Sequence, residues 1–326
     1  MAKLITFDNP DSMMGRDVRM DSAEGIFFSR ELEIILPEIF EEEKPVLNFL
    51  DLLPVKTNIP LGVRTITYRQ TQGGGKAKFI GPESQDLPRV NVTGSEDTSR
   101  YKMIGVAAVY TYEDMQEALY MAQVGGSAGA NLERHLIREA RRAIEEKVNE
   151  CAWYGDVAAG IVGLTQNPNL QRSAAANALS GSTTADQVLS VLNAGVNAIP
   201  NNTEQVETAD TLLLPALAYQ YASQQQRSAA SDATSLNFWL DTNGYVNRAA
   251  LVRELSAVKV LTAGVETQTT GAVFYRKDPS ILELPYSGIQ ALPVQQQGMS
   301  FILPFVAKVG SMIVRRPRAI HLVTGV

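Results

Sequence analysis

Residues 127–155, SAGANLERHLIREARRAIEEKVNECAWYG, constrain the fold more than any other stretch of this chain. Small or apolar residues recur at Leu132, Leu136, Ile137, Ala140, Ile144, Val148 and Cys151, spacings that place them on one stripe of an α-helix. The opposite face carries Glu133, Arg134, Arg138, Glu139, Arg141, Arg142, Glu145, Glu146 and Glu150. Arg141 can reach Glu145 and Arg142 can reach Glu146, each one turn on. Ser127 is placed to cap the start, and Gly155 to end the helix in a left-handed conformation. At 1.5 Å per residue this is a rod of about 40 Å. One apolar stripe along such a rod predicts a strut lying against one sheet.

The chain has 326 residues, 45% hydrophobic and 20% charged, enough to bury a large core in one domain or in two to three smaller ones. A net charge of −6 argues against a sequence-independent nucleic-acid binder. No apolar run reaches the length of a membrane span, and MAKLITFDNPDSMMGRD lacks the apolar core of a signal peptide. With Cys151 as the single cysteine, intramolecular disulfides and thiolate zinc sites are excluded. The composition reads as cytoplasmic.

Residues 1–28 are polar and aperiodic, which reads as either a disordered segment or an arm that orders only against something else. Residues 29–50 read as an amphipathic helix capped by Ser29 and interrupted by Pro37. Val63–Thr71 and Tyr101–Tyr112 read as strands, separated by nearly thirty residues rich in Gly, Pro and charge. The pattern is two long strands projecting as an arm that needs a neighbour to lie on, because an isolated two-stranded arm is marginal in water. A short helix, Glu113–Val124, leads to the rod. Beyond Thr183, α and β alternate: helix Asp186–Ile199, strand Thr211–Leu214, a helix from Pro215, a short strand Phe238–Leu240 and a helix Arg248–Leu255. Strands Val258–Ala263, Ala272–Arg276, Pro304–Val314 and Ala319–Thr324 complete the chain, with a polar exposed loop at 223–235.

No catalytic, cofactor or metal site emerges. Gly125-Gly126-Ser127-Ala128-Gly129 fits a nucleophile elbow, but a helix-like EDMQEALYMAQV stands where that motif needs a buried strand. The serine-hydrolase reading through Ser127, with His321 as its base, is therefore a minor alternative. Cys151 and His135 lie sixteen residues apart on one helix, roughly 24 Å along its axis, and cannot pair. Two isolated histidines give no nitrogen-ligand metal site. Gly73-Gly74-Gly75-Lys76 invites a phosphate-loop reading, but the pattern needs glycine at 70 and Ser or Thr at 77, where Gln70 and Ala77 stand. Asp241-Thr242-Asn243-Gly244 is a turn, its glycine two positions early for a calcium loop. Arg315, Arg316 and Arg318 form a basic turn able to meet a carboxylate or phosphate on a neighbour.

Arm, projection and rod each make poor sense in a monomer. Their order, with ARRAIEEKVNECAWYGDVAAGIVGLTQNPNL, resembles the major capsid protein of tailed bacteriophages, the Hong Kong phage capsid fold that encapsulins share. In that family a helix with an E..vn...w.G pattern runs into GL.N.P. The resemblance implies an α+β fold: N-terminal arm 1–28, connecting helix 29–61 of the P domain, E-loop 62–110, and P domain 111–180 with spine helix 128–154. It continues as A domain 181–290 and closes with P-domain strands 291–326. It also implies a structural, non-enzymatic protein without cofactors, forming hexamers and pentamers of an icosahedral head around double-stranded DNA. That DNA is enclosed without sequence-specific binding, and scaffolding, portal and decoration proteins are the further partners such heads use. An encapsulin-like compartment is the alternative.

The implied localisation is the virion capsid, assembled in the bacterial host cytoplasm. Candidate inter-subunit contacts are Gly73, Gly74, Gly75, Lys76, Lys78 and Arg89 in the E-loop, and Arg315, Arg316 and Arg318 in the basic turn. One family member cross-links an E-loop lysine to a neighbour's asparagine. Lys76 and Lys78 lie in the right loop, but lysines in polar loops do not by themselves predict that bond.

Overall fold

The computed structural model describes residues 43–79, 87–123, 132–228, 230, 232–262 and 265–326. The N-terminal arm, residues 29–42 of the expected helix, Gly125, Gly126 and Ser127 lie outside these. The chain divides into two compact units, residues 1–44 with 113–132, and residues 45–112 with 133–326.

In chain order come α1 (Phe49–Leu52), β1 (Val55–Lys56), β2 (Thr65–Gly74), β3 (Asn91–Thr111), α2 (Tyr112–Gln123) and α3 (Leu132–Trp153). Then follow β4 (Gly155–Asp156), β5 (Ile161–Val162), β6 (Gln171–Ala174), α4 (Ala185–Asn202), β7 (Thr211–Leu214), α5 (Ala216–Gln224) and α6 (Ser235–Thr242). The last third holds β8 (Arg248–Leu251), a 3₁₀ turn at Arg253–Ala257, β9 (Val258–Thr262), β10 (Val265–Thr269), β11 (Gly271–Tyr275) and β12 (Leu282–Pro285). It ends with β13 (Gln290–Ala291), β14 (Gln295–Gln297), β15 (Ser300–Gly310), β16 (Ile313–Val314) and β17 (His321–Thr324).

β3 is one strand of 21 residues, about 70 Å of extended chain. Its first half pairs with β2, from Gly74 opposite Asn91 to Thr65 opposite Arg100. Its second half pairs with β15, from Tyr101 opposite Gly310 to Thr111 opposite Ser300. The strand changes partner between Arg100 and Tyr101 without a break. The expected long loop is therefore much shorter, because Gln72–Gly74 and Asn91–Arg100 join the ladder. Its polar residues pair across the strands: the Tyr68 hydroxyl donates to Asp97 at 2.6 Å, and Arg69 meets Glu96 at 2.7 Å. Such cross-strand pairs stabilise a ladder that has no apolar face.

In α3, Ala140, Ile144, Val148 and Cys151 are buried, with Leu136 and Ile137 half-buried, as the stripe requires. They share one core with Ala108 of β3 and with Phe305, Ala307 and Val309 of β15. Arg142 bonds Glu146 at 2.9 Å, but Arg141 differs from expectation: its guanidinium lies 5.9 Å from the Phe305 ring centroid. The helix ends as its sequence predicts, at Gly155 with φ +79°.

The ARRAIEEKVNECAWYG…GLTQNPNL stretch works as a helix stop. Leu164 N–H donates to Ala152 O at 2.8 Å, and Thr165 N–H to Trp153 O at 2.9 Å. The Thr165 hydroxyl adds a second donor to Trp153 O at 2.7 Å. Carbonyls that a helix end leaves orphaned are thereby satisfied inside the protein. The Trp153 indole donates to Asn149 Oδ1 at 3.0 Å, and Asn149 Nδ2 to Glu254 Oε1 at 2.6 Å.

A second sheet has the order β6-β17-β11-β7-β8. Leu213, Val273, Tyr275 and Leu322 face the first core. Their neighbours Leu212, Leu214, Phe274 and Val323 face a second core, built with Val188, Leu192, Val196 and Ile199 of α4 and Trp239 of α6. Burial on both faces explains why TLLL and GAVFY show no polar alternation.

Two further expectations are corrected here. Phe238–Leu240 belongs to helix α6, not a strand: Thr234 caps it through Asn237 N–H, and Leu236 and Trp239, three residues apart, share its buried face. Arg248–Leu255 is not a helix. Residues 248–251 pair in parallel with β7, and tertiary pairing overrides the helical propensity of RAALVREL.

Candidate functional site

The feature without an intramolecular explanation is the β2–β3 hairpin. Residues 91–98 are exposed on both faces, and no β2 residue is fully buried. Towards the tip, Phe79, Leu87, Val90 and Val92 present large apolar side chains to solvent. A recess of about 550 Å³ is lined there by Gly73, Gly74, Gly75, Lys76 and Lys78 together with Pro88 and Val90. The expected contact residues of this loop thus cluster at one end of the hairpin, with Arg89 exposed beside them. The exposed apolar residues of the tip are not legible as a face in the sequence because they are scattered irregularly among Gly, Pro and charged residues.

At its root the hairpin is held firmly. Ser311 N–H donates to Arg100 O at 3.2 Å, and the Ser99 hydroxyl donates to Ser311 O at 3.3 Å. Val162 N–H donates to the Ser311 hydroxyl at 3.1 Å, joining the root to the segment that follows α3. On the β2 side, Lys308 Nζ donates to Val63 O at 2.9 Å.

The basic turn is placed differently. Arg315 meets Glu283 at 2.5 Å, and Arg316 bonds Glu207. Arg276 approaches the other oxygen of Glu207 at 3.9 Å. Arg318 is exposed. The hairpin residues and the arginines therefore do not form one site.

The remaining chemical candidates have structural surroundings. His321 Nε2 hydrogen-bonds the Ser173 hydroxyl at 2.8 Å, and burial holds its pKa below the ordinary histidine value. Its Nδ1 has no hydrogen-bond partner among the described residues, so no acid orients the ring as a catalytic triad would require. Burial pushes the Cys151 thiol up to about 11, which leaves it protonated at neutral pH. Among the described residues, no group of three His, Cys, Asp or Glu is placed to hold a metal ion, and no helix is long and apolar enough to cross a membrane.

A family model described as major capsid protein matches residues 75–326. No curated protein matches the sequence. Among solved structures, the capsid of Myoviridae phage XM1 superposes with a TM-score of 0.76 at 17% identity, over 93% of this chain and 99% of that one. A chain from Mycobacterium phage Ogopogo gives 0.59 at 13% identity, over 92% and 99%. One from Mycobacterium phage Adephagia gives 0.58 at 15%, over 90% and 94%.

Proposed function

The chain belongs to the major capsid protein family, and from that premise we propose that it builds a tailed-phage head by joining hexamers and pentamers into an icosahedral shell around double-stranded DNA. The observation that carries the reading is the hairpin: a two-stranded ladder, open on both faces and apolar towards its tip, is marginal alone and gains stability when a second copy covers it. In this reading residues 62–110 are the E-loop, α3 is the spine helix, residues 181–290 are the A domain, and residues 1–28 are an arm that orders on a neighbour. The P domain is completed by the closing strands, and the protein has no catalytic role. Contact between a hairpin on one copy and a different surface on the next is heterologous, and such contacts form rings when the rotation between copies closes. Many weak contacts repeated over a shell become collectively strong. The acidic net charge suits a container that does not grip its DNA.

Light scattering with negative-stain microscopy of the purified chain tests this. Shells, or rings of five and six subunits, are expected. Replacing residues 75–90 by a short Gly-Ser turn should leave the subunit folded and abolish particles. A stable monomer whose 72–98 segment resists protease would overturn the reading.

A further inference from the structure

Lys308 of β15 is 7% exposed, yet no carboxylate pairs with it among the described residues. Its ammonium has two neutral partners, the Val63 carbonyl at 2.9 Å and the face of the Tyr101 ring at 5.5 Å. Burying a cation on such partners costs desolvation that an apolar side chain of the same volume would avoid. Packing therefore does not account for a lysine here. Its position does.

Tyr101 is the residue at which β3 leaves β2 and takes up β15, and Val63 lies two residues before β2 begins at Thr65. The two sides of the hairpin root are tied to the body by different means. On the β3 side the tie is the strand itself, reinforced by the bonds between Ser311 and residues 99 and 100. On the β2 side, β2 pairs with no strand other than β3 among the described residues. Tyr101 N–H donates to Arg64 O at 2.9 Å, and Lys308 supplies the side-chain bond that joins this entry segment to β15.

We propose that Lys308 is a latch that fixes the angle of the β2–β3 hairpin to the body of the subunit. With its ammonium on Val63 the hairpin holds one orientation; with that bond broken the entry segment keeps its bond to β3 but loses its side-chain tie to β15, and the hairpin pivots on β3. The bond is charge-assisted, and it is one bond, so the movement of one side chain breaks it. The latch belongs to the single chain. Its consequence, that hairpin angle sets how successive copies meet, rests on the assembly reading above.

The test is hydrogen exchange of the purified full chain and its Lys308→Met variant, which keeps the volume and removes the ammonium. Root amides at 63–67 and 97–101 should exchange about tenfold faster in K308M, while α3 and β11 keep their protection. Unchanged exchange at the root would overturn the latch. Should K308M fail to fold, amine acylation of the unaltered chain decides. Lys308 should label far more slowly than the exposed Lys76 and Lys102, and in mild urea its labelling should rise with root exchange before α3 opens. Labelling of Lys308 at the rate of Lys102, or only together with global opening, would sink the proposal. A chain that forms no particles but whose K308M variant loosens the root would refute the assembly reading and leave the latch standing.

Discussion

Gly155 and Gly163 meet backbone to backbone behind the C-terminus of α3. A Cβ added to Gly155 would lie 2.5 Å from Gly163 N, and one added to Gly163 would lie 2.4 Å from Gly155 N. Gly155 also holds φ +79°, which L side chains rarely adopt. Both neighbours are main chain, so neither can move aside without opening the helix stop formed by residues 164 and 165. Gly155→Ala and Gly163→Ala should each lower subunit stability by about 2–4 kcal/mol. Gly62, with nothing within 4 Å, is the control. Urea unfolding curves of the three variants make the comparison, and equal midpoints would contradict it.

The Asn149 side chain connects α3 to the 3₁₀ turn by accepting from the Trp153 indole and donating to Glu254. Trp153 is fully buried, so its N–H has no water to turn to. Asn149→Ala should cost about 2 kcal/mol through that unmet donor. Asn149→Asp keeps an acceptor for Trp153 but places a carboxylate against Glu254, and it should cost at least as much at neutral pH. Rescue of the Asp variant towards mildly acidic pH, followed by thermal melting, would identify the repulsion as the cause.

Much of this was readable from the residues. The α3 stripe, its end at Gly155 and the TLLL strand follow from local periodicity and turn chemistry. The hairpin was legible only in outline, because Ser95, Glu96 and Asp97 look like loop residues until Arg69 and Tyr68 are set opposite them. The local signals for α6 conflict: Thr234 and the 236/239 spacing favour a helix, while FWL also suits a strand. Arg248–Leu255 could not have been assigned locally, because its β8 half is decided by β7, more than thirty residues earlier. At the candidate site, the glycines and lysines of the tip stood out by composition. Lys308 did not: a lysine in SFILPFVAKVG reads as an exposed strand residue until β2 and β3 are laid over it.

His321 gives the protein an acid-sensitive stability. Burial depresses its folded-state pKa below the unfolded value of about 6.5, so the unfolded chain binds the proton more readily. The stabilisation is present above that unfolded value and is lost as pH falls through the depressed folded one. Unfolding free energy should decline between about pH 7 and pH 5. In His321→Gln, which keeps a polar side chain near Ser173, that part of the slope should vanish. Parallel slopes for the two proteins would show that another group is responsible.

Arg316 and Arg318 stand two residues apart in the basic turn and should behave oppositely. Arg316 bonds Glu207, whose side chain is 7% exposed and whose second oxygen lies 3.9 Å from Arg276. Removing Arg316 leaves the buried carboxylate with Arg276 at 3.9 Å, and Arg316→Ala should destabilise the isolated subunit by about 1–3 kcal/mol. Arg316→Lys keeps the charge and should recover part of this. Arg318 is exposed, so Arg318→Ala should change stability by less than about 0.5 kcal/mol. Any defect it causes belongs to contacts between copies. Measuring unfolding and particle yield on each variant separates the roles. Loss of particles in R318A with an unaltered melt would place Arg318 at an interface, and normal particles would make it a solvated surface residue. A melt unchanged in R316A would show that Glu207 does not depend on Arg316 within the subunit.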